Sequence, residues 1–325
     1  MRFIKKINNL SCHKNQMLAF IKNYSLFCMP QLVTPNKKIK HFSPVIKKFL
    51  SIALVMMISN AVVAQQDGYV QQGEFGVTIG AAHYFGDLNT RAGINRPKPA
   101  LGLFFRKQFG NYVGLRIAAH YAQLGYSDTY SKNEYQRTRN LSFNTNLWEL
   151  AVMGDFNFFK FLPNNTAYGF TPYVTLGLGV FTYDPYAYLG GKKEFLRPLG
   201  TEGQTTEYQG RKQYGTMSVC IPFGAGLKYN ITEKVNISFE ISHRYTFTDY
   251  LDDVSTTYAG ANNFPLTGNG PTARLLQDRS YEIDPDNLIG IEGRQRGTSK
   301  QKDQYLIFEL GFSLNISSYR CPTAN

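Results

Sequence analysis

The chain has 325 residues and a formal charge of +12, from 35 Lys+Arg against 23 Asp+Glu. Ten basic residues (Arg2, Lys5, Lys6, Lys14, Lys22, Lys37, Lys38, Lys40, Lys47 and Lys48) lie in 1–64, which has no acidic residue; 65–325 is nearly neutral at 25 against 23. That distribution removes the electrostatic case for nucleic acid, and 22 Tyr, 24 Phe and 29 Gly with only 18% charge exclude a disordered chain or a helical bundle and suit an all-β protein.

In chain order, the first element is the apolar run from Phe49 that follows Lys47-Lys48 and ends in Val62-Val63-Ala64. A basic n-region, an apolar h-region too short to span a bilayer and a small-residue site predict a cleavable Sec-type signal peptide. The presequence is 1–64, cut after Ala64, and the body is 65–325. No Cys follows the site, which excludes a lipoprotein signal. The n-region is abnormally long and points to a translation start near Val45. Cys12 and Cys28 go with the leader. Cys220 and Cys321 stay, and are expected as free thiols.

Eight segments of the body alternate with period two, which reads as strands. They span about 73–85, 99–108, 111–126, 146–160, 170–182, 215–229, 234–249 and 303–316. Short connections (Gly110-Asn111, Pro163–Thr166, Asn230–Glu233) alternate with long ones, roughly 86–98, 127–144, 183–213 and 250–302. A soluble β-sandwich also alternates. Strict short–long succession and an even strand count favour an eight-stranded antiparallel up-and-down transmembrane β-barrel with short periplasmic turns and long external loops. The loop 251–302, rich in Gly, Pro, Asn and Asp, reads as the longest and least ordered of these.

One face of these strands is Val, Ile, Leu and Phe; Val77, Leu115, Val152, Leu178, Phe223, Phe239 and Phe312 are placed outward. The other is Gly, Ala, Ser, Thr and Asn with isolated charges: Arg116, Glu149, Asp155, Lys228, Glu240, Arg244 and Glu309. An eight-stranded barrel is just wide enough inside for side chains. Charges of both signs there can neutralise one another, so a structural ion-pair plug is expected, ahead of an ion path or hydrolase site.

No catalytic constellation stands out. His83, His120 and His243 lie on strands without a Ser and carboxylate in a recognisable arrangement, and no HExxH, CxxC, Walker loop or GxSxG occurs. Asp249, Asp252 and Asp253 read as a solvated acidic loop rather than a Ca²⁺ site. The expectation is a non-enzyme with no metal, no cofactor and no small-molecule substrate.

The segment Gly73–Asn89 (GEFGVTIGAAHYFGDLN) resembles the opening strand of the PorG-like family. Arg96–Arg106, Pro172–Phe181, Ile221–Lys228 and Arg244–Val254 (RYTFTDYLDDV) resemble later parts of that family in the same order. The resemblance covers nearly all of Gly73–Ile316; YFGDLN and YTFTDYLDD are its most specific parts. It implies an integral outer-membrane component of the type IX (Por/gliding) secretion system. The implied partners are outer-membrane lipid and a periplasmic ring of PorK-like lipoprotein and PorN-like protein. The resemblance brings no active residues. Geometry places the candidate partner contacts on the short turns, at Gly110, Asn111, Asn164, Asn165, Asn230 and Glu233, with the mature N-terminus and the tail from Ser317. The alternative is a stand-alone porin or adhesin-like barrel binding ligands through its long loops.

Overall fold

A computed structural model describes residues 69–319 except Asn164, with backbone alone for 69–72 and 317–319. The signal peptide, Cys12, Cys28, Cys321, the start at Gln65 and the end of the tail lie outside the described residues. Eight long strands form the wall: β1 (Tyr69–Phe85), β2 (Lys98–Phe109), β3 (Val113–Ser127), β4 (Ser142–Asn157), β5 (Phe170–Thr182), β8 (Met217–Thr232), β9 (Val235–Thr246) and β10 (Gln304–Tyr319). Each pairs antiparallel with its neighbours, β1 with β10 and β3 with β4 included, so the sheet closes on itself. Closure leaves this wall without an unpaired edge.

Alternation decides what each face meets. Val77, Leu115, Val152, Leu178, Phe223, Phe239 and Phe312 are all exposed, while the residues that alternate with them are buried or half-buried. An exposed aliphatic belt around a closed sheet is stable in hydrocarbon, where every backbone group is satisfied by the ladder. At ~3.3 Å per residue and ~40° tilt, the ten steps from Trp148 to Phe158 rise about 25 Å, one bilayer core. Exposed aromatics flank the belt. Phe109, Tyr112, Phe159, Tyr168, Phe170 and Tyr229 ring the end with short turns, and Trp148, Tyr188, Tyr245 and Phe247 lie toward the other. The chain is an eight-stranded transmembrane β-barrel.

Several strand ends differ from the alternation. β4 begins at Ser142 rather than near 146, because Ser142, Asn144 and Asn146 stay in the ladder but turn polar side chains outward above the belt. β8 runs on to Thr232, which pairs with Val235, so the last short turn is Glu233-Lys234.

The long connections are not loose. The third holds a hairpin, β6 (Tyr186–Leu189) and β7 (Lys192–Phe195), joined to β4 where Asn144 meets Tyr186, and a short helix α2 (Leu196–Leu199). The second carries α1 (Glu134–Arg139), and the fourth α3 (Gly270–Gln277). Leu88, Leu141, Leu196, Leu251, Val254, Phe264 and Leu276 are buried together, continuous with Ala82, Tyr84 and Ile307 at the strand tops. The four connections make a folded cap with its own apolar core. This corrects the expectation of a least ordered segment at 251–302: Leu251, Tyr258, Ala259 and Ser280 are fully buried. Burial there comes from contacts between loops distant in sequence, which leave no local period.

Candidate functional site

The lumen is layered by register. Near the short turns, Arg106 on β2 donates to Glu74 on β1 and to Asp155 on β4. Arg116 on β3 reaches Glu240 on β9 at 2.7 Å and Asp155 at 3.5 Å. Lys228 on β8 meets Glu74 at 3.1 Å and lies over the Phe161 ring at 5.0 Å. Tyr173 donates to Glu240 at 2.7 Å, and Asn236 to Glu74 at 2.8 Å. An apolar patch of Phe104, Ala118, Ala151 and Met153 follows on the β2–β4 side. Above it, Glu149 on β4 accepts from Tyr305 at 2.5 Å and from Arg244 at 3.4 Å.

His120 completes this upper layer. Its Nδ1 lies 3.1 Å from Glu149 and its Nε2 3.2 Å from Glu309, which also accepts from Thr78 at 2.9 Å. Carboxylates facing both ring nitrogens require both to donate, which only the imidazolium does. The lumen then holds Arg106, Arg116, Lys228, Arg244 and His120 against Glu74, Glu149, Asp155, Glu240 and Glu309. All ten are nearly inaccessible and together neutral. Cys220, a buried free thiol, faces Glu149 at 3.8 Å.

The structure thus joins the seven lumen residues picked from alternation into two linked groups, Arg116, Asp155, Lys228 and Glu240 in one and Glu149, Arg244 and Glu309 in the other, which meet where Glu240 pairs with Glu309 across β9 and β10. Glu74, Arg106 and His120 belong with them and were missed. Their phase was the available signal: Glu74 alternates with Phe75 and Val77, Arg106 with Leu103 and Phe105, and His120 with Ile117 and Ala119, all of which face outward. A neutral, hydrogen-bonded plug gives ions no continuous charged lining of one sign. Purified protein in a planar bilayer is expected to show no stable, porin-sized conductance steps.

The cap has its own polar centre. Arg296 donates to Glu202 at 3.2 Å, to the Asp253 carbonyl at 2.5 Å and to the Gln277 carbonyl at 3.1 Å. Arg139 on α1 clamps Asp128 at 2.7 Å and 2.8 Å and reaches the carbonyls of Arg296 and Asp87. Glu202 accepts from the Ser255 and Thr256 amides. Tyr214 donates to Asp253 at 2.6 Å; Tyr84 donates to Asp252 at 2.5 Å. Asp249, Asp252 and Asp253 are therefore buried beneath the cap, which corrects their reading as a solvated acidic loop. Among the described residues, no group of three or more His, Cys, Asp or Glu side chains is placed to hold a metal ion.

Burial sets the protonation of this cluster. Desolvation, with Asp87 and Glu202 nearby, pushes Asp249 up to about 7. Burial pushes Asp253 up to about 6 against the pull of Arg296. Asp252 and Asp303 are raised well above the usual range by burial and by each other or neighbouring carboxylates. A carboxyl raised in the folded state favours folding below its unfolded value, and that stability is lost as pH rises through the folded value. The cap is therefore tighter in mild acid. Protease cleavage at exposed Arg274 and Arg294, normalised to an unstructured peptide at each pH, should be on the order of tenfold slower at pH 5.5 than at pH 8.

At the opposite end, Gly110 and Glu233 are exposed, Asn111 is half-buried, and Asn165 is exposed with its side chain capping Ala167. The Asn230 amide is committed within its own turn, to Thr232, Val235 and Asn236. Asn164 lies outside the described residues.

A family model described as a domain of unknown function (DUF6089) matches residues 47–265, more than half of the chain. The chain belongs to the DUF6089 family. No curated protein matches this DUF6089 sequence. Among solved structures, it is similar to Neisserial surface protein A at 11% identity and TM-score 0.36, covering 77% of this chain and 98% of that one. The outer membrane protein OprG from Pseudomonas aeruginosa gives 11% identity and TM-score 0.35, over 77% and 99%. The N-terminal β-barrel domain of Pseudomonas aeruginosa OprF gives 12% and 0.33, over 76% and 100%.

Proposed function

We propose that this barrel sits in the outer membrane, with the cap outside and the short turns in the periplasm, and works by holding partners rather than by catalysis. The carrying observation is the neutral, filled lumen between two solvent-facing ends: a plugged barrel acts through its ends. The resemblance of its strands to the PorG-like family supplies the finer reading, an integral component of the type IX secretion system. In that role the turns near Gly110-Asn111, Asn165 and Glu233 would anchor a periplasmic ring of PorK-like lipoprotein and PorN-like protein. An integral barrel resists extraction, so it strengthens a ring otherwise attached by lipid alone. Deleting the gene should leave type IX cargo unsecreted and release the ring from the outer-membrane fraction. Normal secretion in a deletion strain without a second copy would end this assignment.

The second reading, a ligand-binding barrel of adhesin type, is favoured by one observation: the cap is a folded unit with buried ion pairs, as a recognition surface needs.

A further inference from the structure

The outer side of the barrel rim carries a feature that neither anchoring nor the lumen uses. Where the first long connection enters β2, a cleft of about 420 Å³ is lined by Arg96, Lys98, Gly125, Tyr126, Ser127, Tyr130, Ser142 and Asn144. A second cleft of about 260 Å³ adjoins it across the shared wall of Tyr126 and Tyr130, and adds Arg91 and Lys132. The two together present four cations and no carboxylate. In a body with near-equal charge this is local clustering, not composition.

The first cleft is built. Lys98 donates to Asn144 Oδ1 at 2.7 Å, which fixes its ammonium across the top of β3. Gly125 is the floor beneath it: a Cβ there would meet Asn144 Oδ1 at 2.7 Å and Lys98 Cε at 2.9 Å. Arg96 is stacked 4.0 Å over the Tyr130 ring. The acidic groups nearby are already engaged: Asp128 by Arg139, and Glu282 by Arg279, which also donates to Ser142. Arg91 and Lys132 are exposed and make no ion pair among the described residues.

Height selects the occupant. Lys98 lies three residues above Leu101, the last exposed aliphatic of β2, or about 10 Å along the strand. That is the headgroup level of the leaflet on the cap side. Cations there meet phosphate, and the Ser127, Ser142 and Asn144 side chains lining the first cleft offer hydrogen bonds to sugar hydroxyls. We propose that the paired clefts bind the phosphorylated sugar head of a glycolipid in the outer leaflet, which rests on the outer-membrane placement above but not on the type IX role.

The test uses the full mature chain in detergent. The probe is a bis-phosphorylated lipid A-type glycolipid, compared with its dephosphorylated form and with inorganic pyrophosphate. Binding should be tighter to the phosphorylated glycolipid than to either, and should weaken with salt. The double substitution Arg96→Gln/Lys98→Gln should weaken it roughly tenfold or more, with the folded-barrel gel band retained. Arg91→Gln/Lys132→Gln should weaken it less. Lys192→Gln/Lys193→Gln on the β6–β7 hairpin should change it less than about twofold, which separates the cleft from general surface charge. Unchanged binding in Arg96→Gln/Lys98→Gln, or an equal loss in the hairpin variant, would overturn the cleft. If pyrophosphate binds as tightly as the glycolipid, the lipid source is wrong. A membrane-fractionation result placing the chain outside the outer membrane would sink the placement while leaving these detergent affinities readable.

Discussion

Arg106→Met should destabilise the barrel by about 3–5 kcal/mol, the usual cost of stranding buried partners of a removed charge. Arg106 is 1% exposed and joins Glu74 to Asp155 across strands that do not neighbour each other. Its loss leaves three carboxylates in the lower lumen, Glu74, Asp155 and Glu240, with only two cations, Lys228 and Arg116, against them. The methionine fills volume, so the effect isolates charge rather than a cavity. Denaturant unfolding in micelles, followed by the shift between folded and unfolded gel bands, reads the change. Adding Glu74→Gln should recover part of the loss, because it restores neutrality. By contrast, Lys192→Ala, which breaks an exposed pair with Glu194, should stay within about 0.5 kcal/mol.

Arg296→Ala should open the cap and leave the wall intact. Arg296 is buried and ties Glu202 of the third connection to the Asp253 and Gln277 carbonyls of the fourth. Removing it leaves Glu202 and Asp253 facing each other under the cap without their cation, a loss of about 3 kcal/mol or more. The locally open population then rises at least about 100-fold. Trypsin should cut the variant rapidly near Arg274, Arg279 and Arg294, while the wild type resists and both keep the same folded-barrel band. Equal resistance of the two would show that Arg296 is not the tie.

The wall was legible because a membrane barrel writes its two faces into alternate positions. Leu178 and Phe239 are outward, and Lys228 and Glu309 inward, for the same reason: the period is two and the environments differ sharply. The pairing inside was less legible. Phase alone puts Arg106 and His120 in the lumen, but which carboxylates they meet depends on strand stagger around the closed barrel. His120 reaches Glu149 on the next strand and Glu309 on a strand three away in the other direction. The cap was read as loose loop because Leu251, Tyr258 and Arg296 are buried by partners tens of residues distant. One local signal there was available. Gly190 and Gly191, both at positive φ, join Tyr186–Leu189 to Lys192–Phe195, and a Gly-Gly pair is a hairpin-turn signal in the sequence itself.

Under the proposed anchoring role, partners are held at the turn end. A photo-crosslinking amino acid placed at Asn111, Asn165 or Glu233, all outside the buried lumen, tests it in living cells. Crosslinks are expected from these positions to the ring lipoprotein or its companion, and none from a control at Arg274 in the cap. Crosslinks from Arg274 alone, with the three turn positions silent, would contradict it.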